Sequence, residues 1–270
     1  MGDSTGGLAH AAIVIPFYNE ERRFQRAQLV ELARHPSLEL VVVDDGSRDR
    51  TAELLDELAA DVARSATTAG TIHVVKLAKN VGKGEAVRRG MRIAMERGKQ
   101  TVGFTDADFA TRPSEVIELL QELEARADLD VLIASRVLLV GRKVERKAVR
   151  HYLGRIFATL AANILRTPFY DTQCGAKLFR VTPMLASALS EPFVSRWAFD
   201  IELLGRLLIG TATVKAVPLE RMREVPLEEW VDIGGSKVTP AAMVKTLADL
   251  ALIEMELGRR RRAAAPPKAW

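Results

Sequence analysis

One cysteine, Cys174, stands alone in 270 residues. That excludes an internal disulfide framework and a cluster of thiolate metal ligands, and it suits a reducing compartment. The four histidines show no metal-ligand spacing. A membrane-spanning helix is also missing, since none of the apolar runs reaches the roughly eighteen uncharged residues it needs. The most apolar stretch, Pro240 to Leu257, carries Lys245, Asp249, Glu254 and Glu256. The first ten residues, Met1 to His10, are small and polar, without the basic-then-apolar pattern of a secretory signal. Aromatic residues make up only 6% of the chain, and they are not interleaved with its basic groups. A nucleic-acid-binding protein is therefore an outside reading.

Hydrophobic residues amount to 48% and charged residues to 27%, which is ordinary for a globular protein. The net charge of +4 is mild but uneven. Arg142, Lys143, Arg146, Lys147, Arg150 and Arg155 fall close together, and Arg259 to Arg262 form a run near the end. Such clusters attract phosphate, whether in nucleic acid, lipid headgroups or a phosphorylated substrate. The plainer reading is a solvated helix face and a frayed tail.

Apolar runs recur at 12–15, 40–43, 72–77, 102–104 and 131–134, with helical periodicity at 20–34, 51–64, 84–97 and 113–127. Strands alternating with helices predict a mostly parallel α/β sheet covered on both faces. Thr111-Arg112-Pro113 reads as a helix start. After residue 136 the pattern predicts a basic loop and a long helix to about Arg166, then a short strand at 177–181. A helix near 197–209, a strand at 213–217 and a helix starting at Pro240, capped by Thr239, follow. Residues 59–70 are expected to form a surface loop.

Two acidic clusters end two of the apolar runs: Asp44-Asp45-Gly46-Ser47 and Asp106-Ala107-Asp108. Carboxylates at the carboxyl ends of parallel strands face the crevice where open α/β sheets bind ligands. Four acids gathered there repel one another unless a metal or a hydrogen-bonding ligand joins them. A nucleotide and a hard divalent cation, Mg2+ or Mn2+, fit. Asp106 and Asp108 are alternate residues, so in an extended segment they share one face and can hold one metal–diphosphate unit. Asp45, supported by Asp44, is the expected acceptor for base or ribose; the competing role is a helix cap near Asp49. Pro16, Tyr18 and Glu20 form a turn that can serve as a platform for the base. Lys83, between Gly82 and Gly84, places a cation near the diphosphate, and Lys237 is a second candidate. Ser135 and Arg136 end the fifth strand at the same sheet edge, where Arg136 and Arg155 can grip a phosphate through paired hydrogen bonds.

Taken in order, Ile13–Glu20, Val43–Thr51, Asn80–Gly84 and Asp106–Asp108 resemble glycosyltransferase family 2, enzymes of the GT-A fold that use nucleotide sugars. The likeness spans roughly residues 11–240. A narrower resemblance lies in Asp171–Phe179, Trp197–Glu202 and Gly235–Val238, which look like the polyprenyl-phosphate sugar synthases. Within these the likeness is greatest to dolichyl-phosphate glucosyltransferases, then to dolichyl-phosphate mannose synthases. The mannose branch carries a glutamine where this chain has Ala110, which favours the glucosyl branch.

The resemblance implies an inverting transfer of glucose from UDP-glucose to a lipid-linked phosphate, with GDP-mannose or a soluble sugar or alcohol acceptor as alternatives. It implies Asp108, Asp200 and Arg136 as catalytic residues, with Asp200 at the place where sugar-acceptor relatives keep their base. Asp171 and Gln173 are expected to shape the sugar pocket. A phosphate acceptor has its second pKa near about 6 and arrives deprotonated, so no strong base is needed. The domain plan expected is a flexible N-terminus at 1–10 and one glycosyltransferase domain at 11–258, with a nucleotide-binding half at 11–136 and an acceptor half at 137–258. A basic tail at 259–270 completes it. The setting expected is cytoplasmic, with peripheral contact at the membrane face through the basic loop, the last helix and the tail.

Overall fold

The apolar runs become strands because each is bounded by polar turn residues and is rich in valine, isoleucine and leucine. A computed structural model describes residues 10–65, 70–137, 143–145, 148–231 and 240–265. In chain order the strands are β1 (Ala11–Phe17), β2 (Leu38–Asp44), β3 (Thr71–Lys76), β4 (Thr101–Phe104), β5 (Val131–Ser135), β6 (Lys143–Glu145), β7 (Lys177–Arg180), β8 (Met222–Pro226) and β9 (Glu229–Val231). The helices are α1 (Arg26–Ala33), α2 (Thr51–Arg64), α3 (Lys83–Glu96), α4 (Pro113–Ala125), α5 (Ala148–Leu165), α6 (Pro183–Ala188), α7 (Phe199–Ile209) and α8 (Pro240–Ala264).

Seven strands make one sheet in the order β3-β2-β1-β4-β7-β5-β8, and β6 pairs with β9 beside it. All neighbours in the large sheet are parallel except β7, which runs antiparallel to both β4 and β5. Alternation along each strand sorts side chains into two cores. Val14, Val41 and Val43 pack on one face with Val87 and Met91 of α3, Leu203 of α7 and Ile253 of α8. Ile13, Ile15, Leu40 and Val42 pack on the other with Leu29, Leu55 and Leu119 of α1, α2 and α4. Strand β1 is followed by β2 on one side, while β4 lies on its other side. That reversal opens a crevice at the carboxyl ends of β1 and β4, the usual ligand position in open α/β sheets.

Several expectations need correction. Residues 59–64 are not loop but the last turns of α2, whose Leu55, Leu58 and Val62 reach the core. The segment 20–34 is broken into a 3-10 turn at Glu21–Arg23 and the shorter α1. Residues 213–217 form no strand. Gly210, at φ 72°, stops α7, and the Thr211 hydroxyl accepts the Val214 amide at 2.9 Å, closing a turn instead. Arg259–Arg262 are no frayed tail: they lie in α8, where Arg260 pairs with Glu191 and Glu256, and Arg261 with Glu254 and the Ile164 carbonyl. Lys237 and Thr239, with the whole of Gly235–Val238, lie outside the described residues.

Candidate active site

Four chain segments meet at the crevice, and hydrogen bonds between them fix their geometry. The turn after β1 is tied to the turn after β2: Asn19 N donates to Ser47 Oγ at 3.0 Å, Arg48 N to Asn19 Oδ1 at 2.8 Å, and Glu20 N to Thr51 Oγ1 at 2.8 Å. Asp45 N donates to the Phe17 carbonyl at 2.8 Å. Gly46 is needed here because φ is +69° and a Cβ would lie 2.5 Å from the Lys79 carbonyl carbon. Asp44 accepts Ser47 N at 3.2 Å.

The carboxylate of Asp45 is buried and accepts Val81 N at 2.7 Å and Gly82 N at 2.8 Å. Burial raises its pKa, and those two amides work against the rise. These oxygens thus already have partners: they hold the turn that leads into α3 and Lys83. Around them, Tyr18 is exposed and Pro16 partly so, while Glu20 Oε2 is buried without a partner. Burial lifts the Glu20 pKa, with the charges of Asp108 and Asp49 adding to it.

The aspartate pair after β4 is not extended as expected. Strand β4 stops at Phe104, and Phe109 N donates to the Asp106 carbonyl at 3.1 Å while Phe109 takes φ 51°. A tight turn, rather than strand alternation, therefore sets the two carboxylates. They still interact: burial raises the Asp108 pKa, and the Asp106 charge raises it further. Asp106 Oδ1 lies 2.7 Å from Lys83 Nζ. The lysine thus gives the Asp106 carboxylate its counter-charge. Gly175 passes so close that a Cβ would sit 2.7 Å from Asp106 Oδ2.

Lys83 is the first residue of α3. Burial opposes its charge, but Asp106, Asp200 and Asp108 together hold its pKa above the ordinary value. Its ammonium also stands 5.4 Å from the ring centre of Trp197, an exposed side chain at the mouth. Arg196 clamps the same loop: it donates to Asn80, and its carbonyl accepts Gly84 N at 3.0 Å.

A second cation was missed by the sequence reading. Lys177, fully buried at the start of β7, donates to the Cys174 carbonyl at 2.8 Å and lies 3.3 Å from Asp200 Oδ1. Because β7 is antiparallel, its first residue falls at the same edge as the carboxyl ends of its neighbours. A lysine opening a buried apolar strand was the available signal, since buried charges need partners. Asp200, near the start of α7, is buried; desolvation pushes its pKa up, while Lys177 and Lys83 pull it down. Cys174 is fully buried and its thiol is pushed up to about 11 by that burial, so it is no nucleophile at neutral pH.

The expected phosphate grip lies beside this network, after β5. Arg136 donates to Asp171 through Nε at 2.7 Å and Nη2 at 2.7 Å, a two-point pairing, and its backbone N donates to Oδ2 at 3.0 Å. Asp171 thus clamps Arg136, and it also lines the pocket beside it. Arg155 stacks on Tyr170 at 4.1 Å. A small pocket of about 50 Å³ lies among Arg136, Arg155, Tyr170, Thr172 and Gln173. Thr172 Oγ1, in a residue of its wall, and Ser135 Oγ, one residue before Arg136, are buried without hydrogen-bond partners.

Among the described residues no group of three or more metal-ligating side chains gathers. Asp106 and Asp108 nevertheless fit a hard cation. They offer two interacting carboxylates in one turn, with no side chain of Gly175 against Asp106 Oδ2, and oxygens of a diphosphate and water can complete the shell.

A family model described as glycosyl transferase family 2 matches residues 12–185. The chain belongs to that family. It is a glycosyltransferase. Among curated relatives, it is similar to a dolichyl-phosphate beta-glucosyltransferase of Trichomonas vaginalis, 32% identical over 258 residues, covering 90% of this chain and 70% of that one. A protein of the same name from Homo sapiens is 31% identical, covering 83% and 72%. The fold is similar to glucosyl-3-phosphoglycerate synthase from Mycobacterium tuberculosis, solved with Mn2+, UDP and glucosyl-3-phosphoglycerate. The TM-score there is 0.62 at 18% identity, covering 96% of this chain and 82% of that one. A mannosyltransferase from Pyrobaculum calidifontis, solved with GDP-Man and Mn2+, gives 0.58 at 18% identity, covering 96% and 66%. These likenesses bear out the GT-A fold that the sequence predicts.

Proposed function

We propose that this family 2 glycosyltransferase moves glucose from UDP-glucose to a polyprenyl phosphate, inverting the anomeric carbon, with Mg2+ or Mn2+ as cofactor. The observation that carries the reading is the crevice itself, where Lys83 meets Asp106 beside Asp108 and an arginine-lined pocket opens at the same sheet edge. The relatives named dolichyl-phosphate beta-glucosyltransferase support glucose as the sugar and a lipid phosphate as acceptor.

In this reading Tyr18, Pro16 and Glu20 meet the base and ribose, while Asp44 and Asp45 hold the turns that frame them. Lys83 contacts the diphosphate, and Gln173 faces the sugar. A divalent ion held by Asp106 and Asp108 would neutralise charge on the departing diphosphate. Ser135, Arg136 and Arg155 orient the acceptor phosphate, with Arg136 kept in place by Asp171. One phosphate oxygen forms the new bond to C1 of glucose. The bond from C1 to the diphosphate oxygen breaks, and UDP leaves with the electron pair. No proton has to be removed, so the residues act by orientation and charge stabilisation. Asp200, anchored by Lys177, positions the donor sugar.

No helix among the described residues is long and apolar enough to cross a membrane. Contact with a bilayer surface would fall to α8, whose Leu247, Leu252 and Met255 are exposed ahead of its arginines. A second reading, with a soluble alcohol as acceptor, draws on one observation: burial raises the proton affinity of Asp200, as a general base requires.

The test is incubation with labelled UDP-glucose, Mn2+ or Mg2+, and polyprenyl phosphate. Label should pass into the organic phase. Transfer that persists with no lipid present would favour the soluble acceptor, and no transfer from UDP-glucose or GDP-mannose would defeat the proposal.

A further inference from the structure

Asp106 has a cation against it. Lys83 Nζ sits 2.7 Å from its Oδ1, with only 21% of the lysine side chain exposed. The root of that lysine is fixed on both sides. Asp45 holds the amides of Val81 and Gly82, and the Arg196 carbonyl holds the amide of Gly84. Gly82 takes φ +100°, with Arg196 atoms filling the space where a side chain would be. The backbone at Lys83 is therefore held, and side-chain rotation is the way the contact with Asp106 opens.

We propose that Lys83 is a built-in counter-cation, which keeps a divalent ion off Asp106 until a nucleoside diphosphate draws the ammonium away. The inference rests on the reading of Asp106 and Asp108 as the metal carboxylates. An ammonium and a divalent ion cannot both touch Asp106 Oδ1 without mutual repulsion at such short range. The neighbouring acid, Asp200, offers no ready second seat, because Lys177 already lies 3.3 Å from it. A diphosphate brings its own negative charge. It can accept the ammonium and supply further oxygens for the metal in one event. Metal and nucleotide should then bind with positive coupling, within the roughly 5- to 150-fold range usual for linked sites, and the coupling must be reciprocal. The glycine-flanked lysine is thus read as setting binding order as well as contacting phosphate.

The experiment measures Mn2+ bound to the full chain by electron paramagnetic resonance, without nucleotide, for wild type, Lys83→Met, Lys83→Gln and Lys83→Arg. Circular dichroism confirms that each variant is folded. The neutral variants should bind Mn2+ at least about tenfold more tightly than wild type, within that coupling range. Lys83→Arg, which keeps the charge, should bind as weakly as wild type. Adding Asp106→Asn to Lys83→Met should abolish the gain. Equal Mn2+ affinity in wild type and both neutral variants overturns the counter-cation role while leaving the metal reading intact, provided wild type binds Mn2+ when UDP is present. No protein-bound Mn2+ in any form, with or without UDP, overturns both.

Discussion

At the scale of single residues, the site is a run of opposed charges in which each group is tolerable only because of the next. Lys177 shows this most sharply. It is fully buried, and its compensation is one carboxylate, one carbonyl and the face of Phe104 at 5.2 Å. Replacing it by methionine keeps the volume but leaves Asp200 buried with only the more distant Lys83 to offset it. Breaking one side of a buried pair costs about 3–5 kcal/mol. The pH dependence has a definite sign. Asp200 is raised by burial in the fold, so its stabilising contribution is present below the unfolded value of about 4 and is lost as pH rises through the folded value. Removing Lys177 raises it further. The deficit of Lys177→Met relative to wild type should be large near neutral pH and shrink as Asp200 protonates. Other acids behave oppositely: Glu39 is buried, which raises its pKa, yet Lys99 and Arg97 more than offset this, so its contribution is lost as pH falls. Subtracting wild type at each pH cancels that background. Urea unfolding near neutral and near pH 4 would decide it, and a deficit that is the same at both values would show that Asp200 is not the group affected.

At the scale of elements, α3 is the part on which the site depends, and its start is built on close approach. Gly84 is buried under α7, where a Cβ would lie 2.7 Å from Phe199 Cβ. Alanine gains about 1 kcal/mol in helix propensity, whereas overpacking costs about 1–3 kcal/mol. Phe199 Cβ is rooted in the α7 backbone and cannot swing aside, so the steric cost should win. Gly84→Ala is expected to lose up to about 2 kcal/mol in urea unfolding, and a gain in stability would show that α7 yields. Elements like this also mark where sequence reasoning works. Strand β2 is legible because Leu40–Val43 is apolar on both faces and ends abruptly in Asp44 and Asp45, and α4 because Pro113 opens it. Residues 213–217 misled because an apolar run looks like a strand whether or not a sheet edge is available. There Gly210 and Thr211 close a turn, and β8 takes the edge beside β5. The arginines at 259–262 misled for the converse reason: read alone they repel, but Glu191, Glu254 and Glu256 lie where α8 can pair with them.

At the scale of the whole molecule, the order of strands does what no single motif can. It brings the ends of β1, β2 and β4 to one crevice and turns β7 so that Lys177 arrives there too. The acids were legible because carboxylates after apolar runs have few structural uses. Their partners were not, since Lys83 meeting Asp106 joins the start of α3 to the turn after β4, and Arg136 meeting Asp171 depends on β5 and β7 being neighbours. A ligand that spans this crevice touches segments from both halves of the chain, so its binding should stabilise the folded molecule. For UDP with Mn2+ at a hundred times the dissociation constant the gain is about 2.7 kcal/mol. In a chain of this size, that corresponds to a rise in Tm of roughly 5–10 °C. Asp108 is the residue to test, because its carboxylate is raised by burial and by Asp106, and a bound cation relieves both. Asp108→Asn removes that repulsion, so the unliganded variant should be as stable as wild type or slightly more so. The same variant should lose most of the rise with UDP and Mn2+ in a thermal melt, and with it the transfer of label to lipid. A full thermal response in Asp108→Asn would remove Asp108 from the donor site, whatever its effect on turnover.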